Sequence, residues 1–317
     1  MAHDLTALNV TVEKRVEELA EAYLPAYDQF TETLILDNST TTANFPAVFG
    51  NRSFSLANAS GTPEADNMIA LASSATPVSY HKLRTFTFDE LDKDPTLVSD
   101  SAADFFTGYT EDIEDAWFEQ LSLAATTAHP YATSDYLQSG AKFADSNTIT
   151  TEAGATHVVN NVFALAPASS ALTTMHAARS RMRDFGGNLI KMPREKGMVW
   201  CVPELTDDIN GLLGRQGEIL KSDDSLLQGG YGRRLTGPYE IVTPTVTSTD
   251  IWGIIWPTVK NLGGRSARFC PIVPVVKNNL IIRVTEGVTA NTVNVIASGS
   301  WTIALFDSSN YQLSVAP

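Results

Sequence analysis

Apolar residues recur at helical spacing near the start of the chain. Val12, Val16, Leu19, Tyr23, Tyr27 and Phe30 follow one another at intervals of three or four, and Glu13, Glu17, Glu18 and Glu21 cover the other side. This pattern predicts an amphipathic helix over residues 11–34. Pro25 kinks or ends it, because proline has no N–H to donate and clashes with the preceding turn. Residues 37–79 have no such period. They are rich in Ala, Ser, Asn, Gly and Thr with scattered Phe45, Phe49, Phe54 and Leu56, which predicts a long loop or an arm ordered by a partner. Val78–Phe88 then alternates apolar and polar side chains, a strand pattern.

The longest predicted helix covers residues 100–128. Asp100 or Ser101 caps it, and Ala102, Phe105, Phe106, Tyr109, Ile113, Trp117, Leu121, Ala124 and Ala128 form its stripe. It would be about 44 Å long at ~1.5 Å per residue, with Gly108 as its weak point and Pro130 as its stop. Residues 147–167 are strand-like or loop. A helix follows over Ser169–Phe185, closed by Gly186-Gly187, then a buried strand at Met198–Val202 and a short helix at Thr206–Leu213. Residues 214–238 read as a polar, Gly-rich loop. Strands are predicted at 239–243, 269–276, 280–285, 292–297, 302–306 and 312–315. Helices over the first two-thirds and strands at the end make an α+β fold class.

Composition adds a constraint. Of the 317 residues, 43% are hydrophobic and only 18% charged, against about 25% charged in ordinary domains. That suits a chain that hides surface against partners, or a β-rich domain. The net charge is −14, divided unevenly: residues 1–170 carry 7 Lys+Arg and 24 Asp+Glu, whereas 171–317 carry 15 and 12. Two such halves either attract each other between copies or simply have different surfaces. Tight DNA binding is disfavoured, because phosphate contacts need clustered Lys and Arg.

Chemistry-bearing motifs are few. His3, His81, His129, His157 and His176 lie outside metal-ligand spacing of one another. Cys201 and Cys270 sit in apolar runs and read as buried free thiols. Gly229-Gly-Tyr-Gly-Arg-Arg234 lacks the Gly-Lys-Ser/Thr ending of a phosphate cradle. Asp207-Asp208 reads as a helix cap and Asp223-Asp224 as a solvated loop. Arg179, Arg181 and Arg183 alternate around a helix, which suits solvent or a subunit contact better than DNA. No catalytic residue, metal or cofactor is expected, so the reading is not an enzyme. No apolar run reaches the ~20 residues of a membrane helix, and Asp4 and Glu13 interrupt any signal-peptide core.

The order of elements, and most closely the stretch Ala171–Leu213, resembles a known family. There a helix ending in Arg179-Ser-Arg-Met-Arg-Asp-Phe185 meets a glycine turn. Met198-Val-Trp-Cys-Val-Pro-Glu-Leu205 then leads into a short helix. This is similar to the major capsid proteins of tailed bacteriophages with the Hong Kong 97-type shell fold, Mu-like head subunits among them. The resemblance implies an N-terminal arm at 1–44, an extended loop at 45–90 with Val78–Phe88 as its returning strand, and a peripheral domain at 91–155 holding a spine helix. It further implies an axial domain at 156–275 and return strands at 276–317. It implies self-assembly into hexamers and pentamers of an icosahedral virion shell enclosing double-stranded DNA, assembled in the host cytoplasm. Scaffold, portal and decoration proteins are the partners it brings, with weak non-specific contact to packaged DNA and none to membrane. The subunit-interface candidates are Val12, Val16, Leu19 and Tyr23 on the arm, Phe49, Phe54, Lys82 and Arg84 on the loop, and the basic residues Arg179, Arg183, Arg233 and Arg234. A protein-enclosing, encapsulin-like compartment and a phage tail component are the alternatives.

Overall fold

The computed structural model describes residues 4–37, 39–49, 68–151, 154–190, 196–214, 235–241, 249–262, 265–289, 291–306 and 308–315. The chain divides into two compact units. Unit 1 joins three segments, 1–43, 75–117 and 274–304; unit 2 holds 44–74, 118–273 and 305–317.

Unit 1 begins with α1 (Leu5–Ala22). It starts earlier than the periodicity suggests because Asp4 caps it, accepting from the Thr6 and Ala7 N–H groups at 2.9 and 3.3 Å. It stops at Ala22 because the residue before Pro25 is pushed out of helical geometry, and the chain continues as a 3-10 turn, Ala26–Gln29. Beyond β1 (Leu34–Ile35) and β4 (Val78–Thr87), Thr87 and Glu90 form a capping box for α2 (Phe88–Lys93). The 26-residue α3 (Leu97–Ser122) follows.

A four-stranded sheet completes unit 1, in the order β1-β13-β14-β4, with β13 spanning Ile272–Glu286 and β14 Thr292–Leu305. Each of these long strands replaces two shorter ones expected from the sequence. Lys277-Asn-Asn279 and Ser298-Gly-Ser300 read as breaks, but main-chain pairing is indifferent to side-chain polarity. The ladder between β14 and β4 runs unbroken from Thr292↔Thr87 to Trp301↔Val78. Val78–Thr87 is therefore a strand as predicted, but its partner is the C-terminal β14. One face of the sheet packs on the helices: Ile282, Val284, Val293, Val295 and Ala297 share a core with Val12, Leu91, Val98, Ala102 and Phe105. Tyr109 lies directly against Gly299, leaving no room for a Cβ there. Gly299→Ala is expected to cost about 1–3 kcal/mol, read as a lower urea midpoint with unchanged slope.

Unit 2 is built on a five-stranded sheet, β7-β15-β10-β8-β9. Its strands are β7 (Val162–Phe163), β8 (Gly197–Cys201), β9 (Leu235–Glu240), β10 (Ile251–Ile255) and β15 (Tyr311–Val315). Every residue of β8 and β10 is buried, which explains their unbroken apolar runs. Helices α4 (Ser169–Arg181) and α5 (Thr206–Gly214) belong to this unit. So do three strand pairs: β2 (Ala43–Phe49) with β3 (Ile69–Ala75), β5 (Ser146–Thr150) with β6 (Thr156–Asn160), and β11 (Thr258–Leu262) with β12 (Arg265–Phe269). The β2–β3 pair forms where the sequence pointed to a loop. Ile69, Leu71 and Ser73 alternate into the interior, and the first two pack with Tyr131, Leu137, Ile149 and Phe185.

Candidate assembly surfaces

The arm candidates turn out to be docked on their own chain. Val12 is fully buried in the unit 1 core, Val16 packs at its edge and Leu19 is half-buried. The Tyr23 hydroxyl donates to Glu114 Oε2 on α3 at 2.9 Å, and the Ala26 N–H donates to the same oxygen at 3.0 Å. This one carboxylate fastens the chain on both sides of Pro25. Burial, then the hydrogen bond and charge of Glu114, push the Tyr23 phenol up, while burial and the charges of Glu32 and Glu114 raise Asp28. Glu114→Ala strands two donors and is expected to cost about 2 kcal/mol, against about 1 for Tyr23→Phe, by urea denaturation.

The loop and basic candidates are dispersed. Phe49 packs on Phe185 with centroids 5.1 Å apart in unit 2. Lys82 and Arg84 lie over the Phe105 ring at 5.6 and 5.2 Å, and Arg84 donates to Ser101 and Asp104, each at 3.0 Å. Their charges are thus engaged by α3. Arg179 is 0% exposed, and its guanidinium donates to Asn310 Oδ1 at 2.6 Å. Its place is the interior of unit 2, not a helix surface. Arg183 is exposed and donates to the Gly187 carbonyl at 2.6 Å. Phe54, Arg233 and Arg234 lie outside the described residues, as do Asp223-Asp224 and the Gly229–Arg234 run.

The sequence did not single out the outer face of the unit 1 sheet. Ile282, Val284, Val293 and Val295 point to the core, so Ile281, Arg283, Asn294 and Ile296 point away from it. Leu83 stands opposite Ile296 on β4, and it is 60% exposed, with Ile281 42% exposed. Thr85 donates to Asn294 at 2.8 Å, and the Ser79 and Ser300 hydroxyls meet at 3.1 Å, closing the patch with polar pairs. The alternation in Val78–Phe88 was the only signal pointing here.

Among the described residues no group of three His, Cys, Asp or Glu side chains is placed to hold a metal ion. Cys201 and Cys270 are buried and unbridged. His129 is buried, with its ring nitrogens taken by Ser308 and the Tyr131 N–H. Among the described residues no helix is long and apolar enough to cross a membrane.

A unit with a long helix packed on an antiparallel-rich sheet, gathered from three chain segments, joins a second unit on a mixed five-stranded sheet. This is the architecture of phage capsid subunits, an α+β fold of the Hong Kong 97 type. Solved structures share it over nearly the whole chain. The capsid of cyanophage Pam1 matches with a TM-score of 0.55 and 11% identity, covering 92% of this chain and 91% of that one. The capsid of cyanophage P-SCSP1u gives 0.53 and 11%, covering 91% and 89%. The mature capsid of bacteriophage PhiM1 gives 0.52 and 8%, covering 89% and 85%. No family model and no curated protein matches the sequence.

Proposed function

We propose that this chain is the major capsid protein of a tailed phage, whose copies self-assemble through hexamers and pentamers into an icosahedral shell around double-stranded DNA. The observation that carries the reading is reciprocal coverage: about nine-tenths of this chain superimposes on about nine-tenths of capsid subunits. In this reading unit 1 is the peripheral domain and α3 its spine helix. The axial domain, expected at 156–275, holds α4, β8 and α5 of unit 2, and much of the extended loop expected at 45–90 lies outside the described residues. The strands after Pro274 bring the chain back to the peripheral domain.

The function is assembly, and its physics is multivalent. Each subunit touches several others, so a closed shell adds up modest contacts. The net charge of −14 suits a wall that holds packaged DNA only weakly. Assembly in the host cytoplasm, with scaffold, portal and decoration proteins as partners, belongs to the same proposal.

Expression of the full chain followed by negative-stain electron microscopy tests it. Closed shells, or rings of five and six subunits, are the expected result. A chain that remains monomeric when phage scaffold and portal are supplied overturns the proposal.

A further inference from the structure

We infer that the outer face of the unit 1 sheet is the docking surface for helix α1 of a second copy of this chain; the inference rests on the shell reading above and names one of its contacts. Unit 1 is strongly acidic, with 19 Asp+Glu against 7 Lys+Arg. Its carboxylates are concentrated on the helices and connecting segments. Among the strands of its sheet only Glu286 is acidic, at the end of β13 and with the core-facing parity of Ile282 and Val284. The strands themselves therefore place no carboxylate on the outer face. That face presents Leu83, Ile281 and Ile296 beside the exposed Arg283 and His81.

An occupant of this face needs apolar side chains together with negative charge, and the exposed side of α1 carries both. Glu13, Glu17 and Glu21 follow at intervals of four, all exposed, and Val10 stands on the same side at 45% exposure. Of the two basic residues on α1, Arg15 turns to Glu18 at 3.3 Å. The acidic side of α3 is the rival occupant, but no large apolar side chain is exposed within Leu97–Ser122, and the exposed Leu123 falls past the end of the helix. The opposite side of α1, with Leu5, Leu8, Val12 and Val16, is packed on its own sheet. One helix thus covers the inner face of its own sheet and the outer face of a neighbour's.

The two surfaces of this contact lie on opposite faces of unit 1, so the contact is heterologous. Such contacts generate rings where the rotation closes and open filaments where it does not, rather than isolated dimers, and a shell is built from the closing kind.

Charge exchange in the full-length chain tests the contact. Arg283→Glu places like charges opposite α1 and is expected to raise the concentration needed for assembly roughly tenfold or more. Glu17→Arg alone is expected to weaken assembly similarly, and the double variant Arg283→Glu/Glu17→Arg to restore it. Leu83→Ser is expected to weaken assembly without any change of charge. Far-UV circular dichroism of each variant reports folding separately. Particles that form at the wild-type concentration in both Arg283→Glu and Leu83→Ser overturn the contact, as does a folded double variant no better than its parents. Failure of the wild-type chain to assemble, even with scaffold and portal, overturns the shell reading and this contact with it.

Discussion

Arg179→Ala is expected to destabilise the protein by about 3 kcal/mol or more, although arginine is among the residue types least expected in an interior; its spacing from Leu172, Met175 and Met182 is that of the buried stripe. The side chain is fully buried on α4. Its guanidinium donates to Asn310 Oδ1 at 2.6 Å and to the Ile190 carbonyl at 3.4 Å. Asn310 immediately precedes β15, so this contact ties the helix to the start of an interior strand of the sheet. Truncation leaves a cavity and a buried acceptor that loses a charged donor, and both costs add. Arg179→Lys is expected to recover only part of the loss, because an ammonium cannot reproduce a planar fork aimed at two acceptors. Urea unfolding followed by tryptophan fluorescence reads this directly, since Trp200, Trp252 and Trp256 are all buried in the same unit. A folded variant of wild-type stability with defective assembly would instead make Arg179 an interface residue.

Trp117→Ala is expected to be at least as damaging, at about 3–5 kcal/mol. Trp117 is 0% exposed near the end of the α3 segment in unit 1, and Tyr27 and Phe30 pack on it with centroids 6.1 and 5.1 Å away. These two rings hold the chain after Pro25 against the helix, beside the carboxylate of Glu114. Removing the indole takes away the platform for the whole turn. Limited proteolysis is then expected to cut between residues 23 and 33 well before the wild-type chain is cut there, because cleavage follows local opening. Trp117→Phe fills most of the volume and is expected to retain most of the stability. An alanine variant with wild-type protease resistance would refute the platform.

The amphipathic stripe of α1 was legible because a helix period shows in any sequence that buries one face. The stripe does not say whose surface it covers. Val12 and Val16 were expected on a neighbour, and the structure packs them on their own sheet. The arginines at and just beyond the end of α4 looked alike in sequence. A buried acceptor at Asn310, 131 positions away, separates Arg179 from the exposed Arg183.

The α+β class, the presence of α3 and α4 and the buried strand β8 were legible in the sequence, although α3 ends at Ser122 and α4 at Arg181, short of the expected 128 and 185. These follow from periodicity, capping and residue type, all of which act within a few positions of the chain. The pairing of β4 with β14 across more than 200 residues, and the continuity of β13 and of β14, emerge only from the three-dimensional packing. So does the sharing of one sheet face by the exposed Leu83 and Ile281 with the half-buried Ile296. Strand pairing satisfies backbone groups that are the same in every residue. Partner and register are therefore chosen by the packing of the whole sheet on α1 and α3, and that information is spread over three distant segments of the chain.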